Sequence, residues 1–193
     1  LMIGLLENID RKILYLINDY LSNPIFDIFF VTITNEDLWA IPVIIGILIL
    51  AFKGGNRARI AIGIILIATG VTDLTVVEVI KPAIARLRPS HTLGDTINVL
   101  IGRGGKYGFV SAHAANIFCA TTILSYFYDK WKKPLFFLAV SVSISRVYVG
   151  VHYPGDVLFG GLYGYGIAWL FITIWVLIKM RELKRGRTWI QYE

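Results

Sequence analysis

Residues 145–156 read SRVYVGVHYPGD, and they sit where one apolar run, Pro134 to Val151, gives way to another, Val157 to Ile178. Both runs approach the ~20 residues that a bilayer-crossing helix needs, so the stretch between them reads as a turn at a membrane surface. That turn carries Arg146, His152 and Asp156. Ionisable side chains are costly beside hydrocarbon, and their presence there points to function. Tyr153, Pro154 and Gly155 break regular structure after His152, which puts Asp156 at the start of the following helix, turned back toward the imidazole.

Working outward, the whole chain has the same character. Of its 193 residues 56% are hydrophobic and only 17% charged, and the mean hydropathy of +0.66 lies well outside the soluble globular range. The length suits one membrane-embedded domain over residues 1–193. A single cysteine, Cys119 inside an apolar run, rules out an intrachain disulfide framework and reads as packing. Residues 1–20 mix charges into an apolar pattern at Ile3, Leu6, Ile9, Ile13, Leu16 and Ile17, the signature of a helix lying in the interface rather than a removable signal peptide. Targeting is then expected from the spans themselves.

Five runs approach spanning length: Leu38 to Phe52, Ala58 to Ile80, Ser111 to Tyr128, Pro134 to Val151 and Val157 to Ile178. Leu21 to Thr34, which carries Asp27, is a shorter sixth candidate. The fold class expected is therefore all-α, a polytopic bundle of about six transmembrane helices plus an N-terminal interfacial helix. Lys53, Arg57 and Arg59, then Lys130, Lys132 and Lys133, then Lys179, Arg181, Lys184, Arg185 and Arg187 follow alternate runs, so the positive-inside rule makes their face cytoplasmic. Placing Arg11 and Lys12 on that face calls for an even number of crossings. Trp39, Trp131 and Trp189 fall at run ends, as interface anchors do.

Six basic residues remain for the opposite face: Lys81, Arg86, Arg88, Arg103, Lys106 and Arg146. Residues 82–110, rich in Pro, Gly and polar groups, form the long loop there. Three segments converge on this face: KPAIARLRP (81–89), VSAHAAN (110–116) and SRVYVGVHYPGD. Singly, a lysine or arginine at a helix end reads as snorkelling, His113 as an interior histidine and Ser111 as an N-cap. Together they need one explanation, and a phosphate monoester supplies it. Lys81, Arg88 and Arg146 offer ammonium and forked donors for a dianion. A helix starting at Ser111 adds a hydroxyl and the first free N–H groups, including that of Ala112. One neutral imidazole attacks phosphorus while a protonated one gives its proton to the leaving oxygen. His152 is the better nucleophile because Asp156 can hold its other ring nitrogen, which leaves His113 as the acid. Glu78 is expected to pair with Lys81, and Asp73 with Thr72 or Thr75.

These residues resemble the motifs of the type 2 phosphatidic acid phosphatase superfamily: Lys81, Arg88 and Pro89; Ser111 and His113; Ser145, Arg146, His152 and Asp156, in order and with strict spacing. The resemblance implies a six-helix bacterial membrane lipid phosphatase that forms a phosphohistidine at His152, with His113 as acid and no metal or other cofactor. One departure is visible. The family usually has Pro-Ser-Gly-His where this chain has Val110, Ser111, Ala112 and His113.

A site at the membrane surface implies a lipid phosphate partner whose tails stay in the bilayer: lipid A 1-phosphate, undecaprenyl diphosphate or phosphatidylglycerol phosphate. Arg103 and Lys106 are spare cations for a second phosphate. The expected location is the bacterial inner membrane with the site facing the periplasm. A non-catalytic anionic-lipid binding protein or transporter is the rival, since binding needs cations but no oriented imidazole. Basic residues split between two faces make no continuous nucleic-acid groove.

Overall fold

The computed structural model describes residues 2–189, with side chains from Glu7 onward, so the readings of Ile3 and Leu6 lie outside what is described. Among the described residues the regular structure is helical and no strand forms. Seven helices carry it: α1 (Met2–Tyr15), α2 (Pro24–Thr34), α3 (Glu36–Lys53), α4 (Gly55–Ile84), α5 (Ala112–Phe127), α6 (Lys132–Tyr148) and α7 (Pro154–Lys184). Each apolar run expected to be a helix is one. The starts follow from local chemistry: Asn23 and Asn35 cap α2 and α3 through their side-chain oxygens, and proline occupies the first turn of α2 and α7.

Helices α4 and α7 are by themselves long and apolar enough to cross a membrane, and α2 with α3 makes a third if that pair, bent by 52°, is one broken span. At 11 residues, α2 is only about 16 Å long and cannot cross alone. The pair is bent by 52° at Asn35, as a broken span or a re-entrant loop is. Leu21 to Thr34 thus holds a helix, but a short one, as its sequence indicated.

Helix α5 sits at the centre, against α4, α6 and α7. Ala61, Ala68, Cys119, Ile123, Phe127, Ala168, Ile172 and Trp175 form the main core. Small residues let the helices approach closely, the usual device where lipid removes any hydrophobic drive between them. A Cβ on Gly164 would lie 1.9 Å from the carbonyl oxygen of Ala115. The N-terminus of α7 is thereby held against that of α5, and Ser111 N–H donates to the Asp156 carbonyl at 2.9 Å.

The two ends of the bundle differ. At one, Arg57 lies over the Tyr128 ring at 4.7 Å and Asn56 donates to the Trp189 carbonyl, so the α3–α4 turn, the α5–α6 turn and the end of α7 meet with their basic clusters. At the other, residues 81–111 and the turn 149–153 come together. Helix α1 is found at this second end. Leu14 packs with Ile97, Val147 and Tyr153. Asn18, 1% exposed, donates to the carbonyls of Asn98 (2.7 Å) and Tyr148 (2.6 Å) and accepts from Asn98 N–H. The expectation that Arg11 and Lys12 share the end of Lys53 is therefore corrected. A charge count ignores the polar groups of the same segment, and here Asn18 decides where the segment docks because a buried amide must be satisfied.

Candidate active site

The turn after α6 supplies the reactive pair. Tyr153 is extended (φ −74°, ψ 153°), as the residue before a proline should be. Asp156, third in α7, then reaches back and accepts the Tyr153 N–H on Oδ2 at 3.0 Å. The same Oδ2 faces His152 Nδ1 at 3.4 Å, long for a hydrogen bond, with His152 1% and Asp156 0% exposed. With Nδ1 turned to the carboxylate, Nε2 is the nitrogen left to react. Burial first, and then the charges of Arg88, Arg146 and Lys81, hold the His152 imidazole well below its ordinary pKa. It is neutral at neutral pH.

Three cations surround that imidazole. Lys81 leaves the end of α4 just after a π-helical segment, Val76–Ile80, a local irregularity common at functional sites. Arg88 lies in an extended segment that pairs with residues 106–108: Arg88 N–H donates to the Lys106 carbonyl and Gly108 N–H to that of Arg86, and Arg88 Nε reaches the Tyr107 carbonyl at 3.3 Å. Arg146, in the last turn of α6, donates from Nη1 to Thr34 Oγ1 at 2.7 Å, while its buried Nε has no partner. Arg88 and Arg146 act on each other and on Lys81 by charge. Like charges gathered out of water are costly unless an anion joins them.

Ser111 caps α5, its hydroxyl oxygen accepting the Ala114 N–H at 3.4 Å. A hydroxyl that accepts in this way can still donate its own proton, and the N–H groups of Ala112 and His113 are the first-turn donors left for an anion. His113 is within charge range of Lys81, Arg88, Arg146 and His152. All the residues expected from the sequence thus stand at one end of the bundle, on the ends of α4, α5, α6 and α7 and the loop before α5.

Several neighbours escaped the sequence reading. Arg86 is not a snorkelling cation: it donates to Asp156 Oδ1 (2.7 Å) and to Asp10 Oδ2 (2.5 Å). Glu36, at the start of α3, sets its carboxylate close against His113 Nε2, a buried atom that makes no hydrogen bond. Asp10 and Glu36 thus bring two further carboxylates to this end of the bundle. Asp73 does not pair with Thr72 or Thr75, whose hydroxyls donate to the carbonyls of Ala68 and Val71. It accepts instead from Asn116 at 3.0 Å, because threonine in a helix satisfies itself one turn back. Glu78 is exposed and makes no ion pair with Lys81 among the described residues. No spacing rule links Asp10, Thr34 or Glu36 to residues more than 75 positions away. Asp27, which looked out of place in an apolar run, accepts from the Tyr148 hydroxyl at 2.6 Å.

Fold and site together define the class: an all-helical membrane lipid phosphatase. The chain belongs to the PAP2 superfamily, whose family model matches residues 59–179. It is 33% identical over 181 residues to a lipid A 4′-phosphatase of Bacteroides thetaiotaomicron, covering 90% of this chain and 80% of that one. To an undecaprenyl-diphosphatase of Sulfolobus acidocaldarius it is 37% identical over 141 residues, 72% of this chain and 65% of the other. The crystal structure of a transmembrane PAP2-type phosphatidylglycerolphosphate phosphatase from Bacillus subtilis shares the fold with a TM-score of 0.66 and 26% identity, over 88% of this chain and 85% of that one.

Proposed function

We propose that this chain cleaves a phosphate ester on a membrane lipid through a phosphohistidine at residue 152, and that its substrate is a glycolipid phosphate of the lipid A type. The observation that carries the reading is the buried His152–Asp156 pair within charge range of Lys81, Arg88 and Arg146. Those three cations, the Ser111 hydroxyl and the N–H groups of Ala112 and His113 hold the phosphate oxygens. The Nε2 lone pair of His152 attacks phosphorus. The bond from phosphorus to the lipid oxygen breaks, and that oxygen takes a proton from His113. Water then attacks the phosphohistidine, gives a proton to the now neutral His113, and the N–P bond breaks to release inorganic phosphate. Glu36 lies against Nε2 of the His113 imidazole. Every charge in this scheme is supplied by side chains, so no metal is called for.

The lipid A assignment draws on the 4′-phosphatase relative, which aligns over 90% of the chain. Arg103, 4.0 Å from Asp95 and largely exposed, and Lys106, beside the Tyr107 ring, are available on the loop for a second anionic group. The basic clusters at the far end of the bundle support an inner-membrane protein whose site faces the periplasm or outside.

The test is phosphate release by the purified protein in detergent from lipid A carrying a 4′- or a 1-phosphate, undecaprenyl diphosphate and phosphatidylglycerol phosphate, with and without EDTA. Release from a lipid A phosphate that survives EDTA and is lost in His152→Ala, with lipid binding retained, is expected. Binding of these lipids with no release by the wild type would make the chain a lipid-binding protein instead.

A further inference from the structure

The family match begins at residue 59, yet helix α1 touches two of the residues around Asp156, one in the loop after α4 and one in the first turn of α7. Asp10 Oδ2 accepts from Arg86 Nη2 at 2.5 Å, and Asp10 Oδ1 accepts the Gly155 N–H at 2.7 Å. Gly155 is the residue before Asp156, and Arg86 is the residue that holds Asp156 Oδ1 at 2.7 Å. One side chain from the N-terminal helix therefore grips Asp156 from two sides, through the backbone next to it and through the guanidinium bound to it. The approach is tight: a Cβ on Gly155 would lie 2.8 Å from Asp10 Oδ2.

We propose that Asp10 is a positioning residue for phosphoryl transfer, fixing Arg86 and the first turn of α7 so that Asp156 presents Oδ2 to His152. This rests on the phosphohistidine reading above. Apart from His152 itself, the Asp156 carboxylate is held by Arg86 and by Tyr153 N–H, so its aim is as fixed as those two partners. Arginine has a long, rotatable stem, so a single contact at Nη1 leaves its fork free to swing. A second carboxylate on Nη2 closes the fork, and the Tyr153 ring, 4.4 Å from the guanidinium carbon, supports its face. Burial opposes the charge on Arg86, but Asp156 and Asp10 outweigh it and hold the guanidinium pKa above its ordinary value. Lysine at 86 has a point charge and no fork, so it cannot serve both carboxylates in this geometry.

The test compares wild type with Asp10→Asn, Asp10→Glu, Arg86→Lys and the Asp10→Asn/Arg86→Lys double variant. Turnover, KM and inhibition by inorganic phosphate are measured on the same folded fractions. Asp10→Asn is expected to lower kcat about 10- to 100-fold, as loss of an outer orienting partner does, with KM and phosphate inhibition within about threefold because Lys81, Arg88 and Arg146 are untouched. Asp10→Glu should recover part of the rate. The double variant should be no slower than Arg86→Lys alone, since both changes break one chain of contacts. A kcat for Asp10→Asn within twofold of wild type, or additive losses in the double variant, overturns the proposal. A merely structural role would instead lower the folded fraction and leave kcat per folded molecule unchanged. Hydrogen exchange gives a reading independent of turnover: in Asp10→Asn the amides of residues 152, 153, 155 and 156 should exchange at least about tenfold faster, and unchanged protection would refute the grip even if the chain proved to be no phosphatase.

Discussion

Ser111 donates its backbone N–H to the carbonyl of Asp156 at 2.9 Å, so the cap of α5 and the first turn of α7 are hydrogen-bonded to each other. The helix that presents Ala112 and His113 is thereby registered against the helix that presents Asp156. Gly164 makes this approach possible, since any side chain there would meet Ala115. Gly164→Val is expected to destabilise the bundle by about 1–3 kcal/mol or more, as overpacking does. A lower melting temperature and reduced recovery of monodisperse protein should show it. A variant as stable as wild type would mean the two helices can separate without consequence.

Asp156 should be needed for rate more than for binding. Asp156→Asn keeps the shape but offers His152 Nδ1 a different partner, and the expected loss in kcat is about 10²- to 10⁴-fold, as in other carboxylate–histidine pairs. Binding of inorganic phosphate should persist, because the three cations remain.

The acid side of the pH profile should betray the environment of His152. An ordinary imidazole, with a pKa near 6.5, is half protonated and so half unreactive at that pH. Burial and the charges of Arg88, Arg146 and Lys81 disfavour the protonated form at 152, so the reactive neutral form persists as pH falls. The acid limb of kcat/KM, which reports the free enzyme, is expected at a pH lower than an ordinary imidazole would give. A limb at 6.5 or above would contradict the burial and charge argument.

Glu36 gives a separate handle on the proton donor. If it supports His113, Glu36→Gln should slow a lipid phosphate about tenfold or more, within the range general acids contribute. A phenolic phosphate whose leaving oxygen needs no proton should be slowed far less. Equal effects on both substrates would show that Glu36 acts on something other than proton donation.

Ala85, where the chain leaves α4 for the loop, sits at φ 52°, in the left-handed region. An alanine there costs about 1–2 kcal/mol, partly offset in a glycine by its greater freedom when unfolded. Ala85→Gly is expected to leave activity intact and to raise stability by up to about 1 kcal/mol, read as a small rise in melting temperature.

Much of this architecture is legible in the sequence. The apolar runs become helices because apolar length is what a bilayer selects. The residues at 81, 111, 113, 146, 152 and 156 come together because each stands at or beside the end of a run, and run ends meet at a surface, where the loop that follows α4 adds Arg88. Asp10 and Glu36 were not legible. Each sits in a polar-looking segment with no periodic relation to its partner, and their contacts depend on how residues 7–36 fold back over the site. The same blind spot misplaced Arg11 and Lys12: their charge suggested one end of the bundle, while Asn18 and Leu14 on the same segment dock it at the other. Thr34 was hidden similarly, because its contact with Arg146 depends on the bend between α2 and α3.

The central claim concerns a bond between nitrogen and phosphorus, and that bond can be trapped. Wild-type protein denatured in base during turnover of a phosphate-labelled lipid A substrate should carry the label on residue 152, identified by mass spectrometry as an acid-labile, base-stable phosphohistidine, and His152→Ala should carry none. Turnover at a normal rate by His152→Ala, or label trapped on a different side chain, would contradict the account.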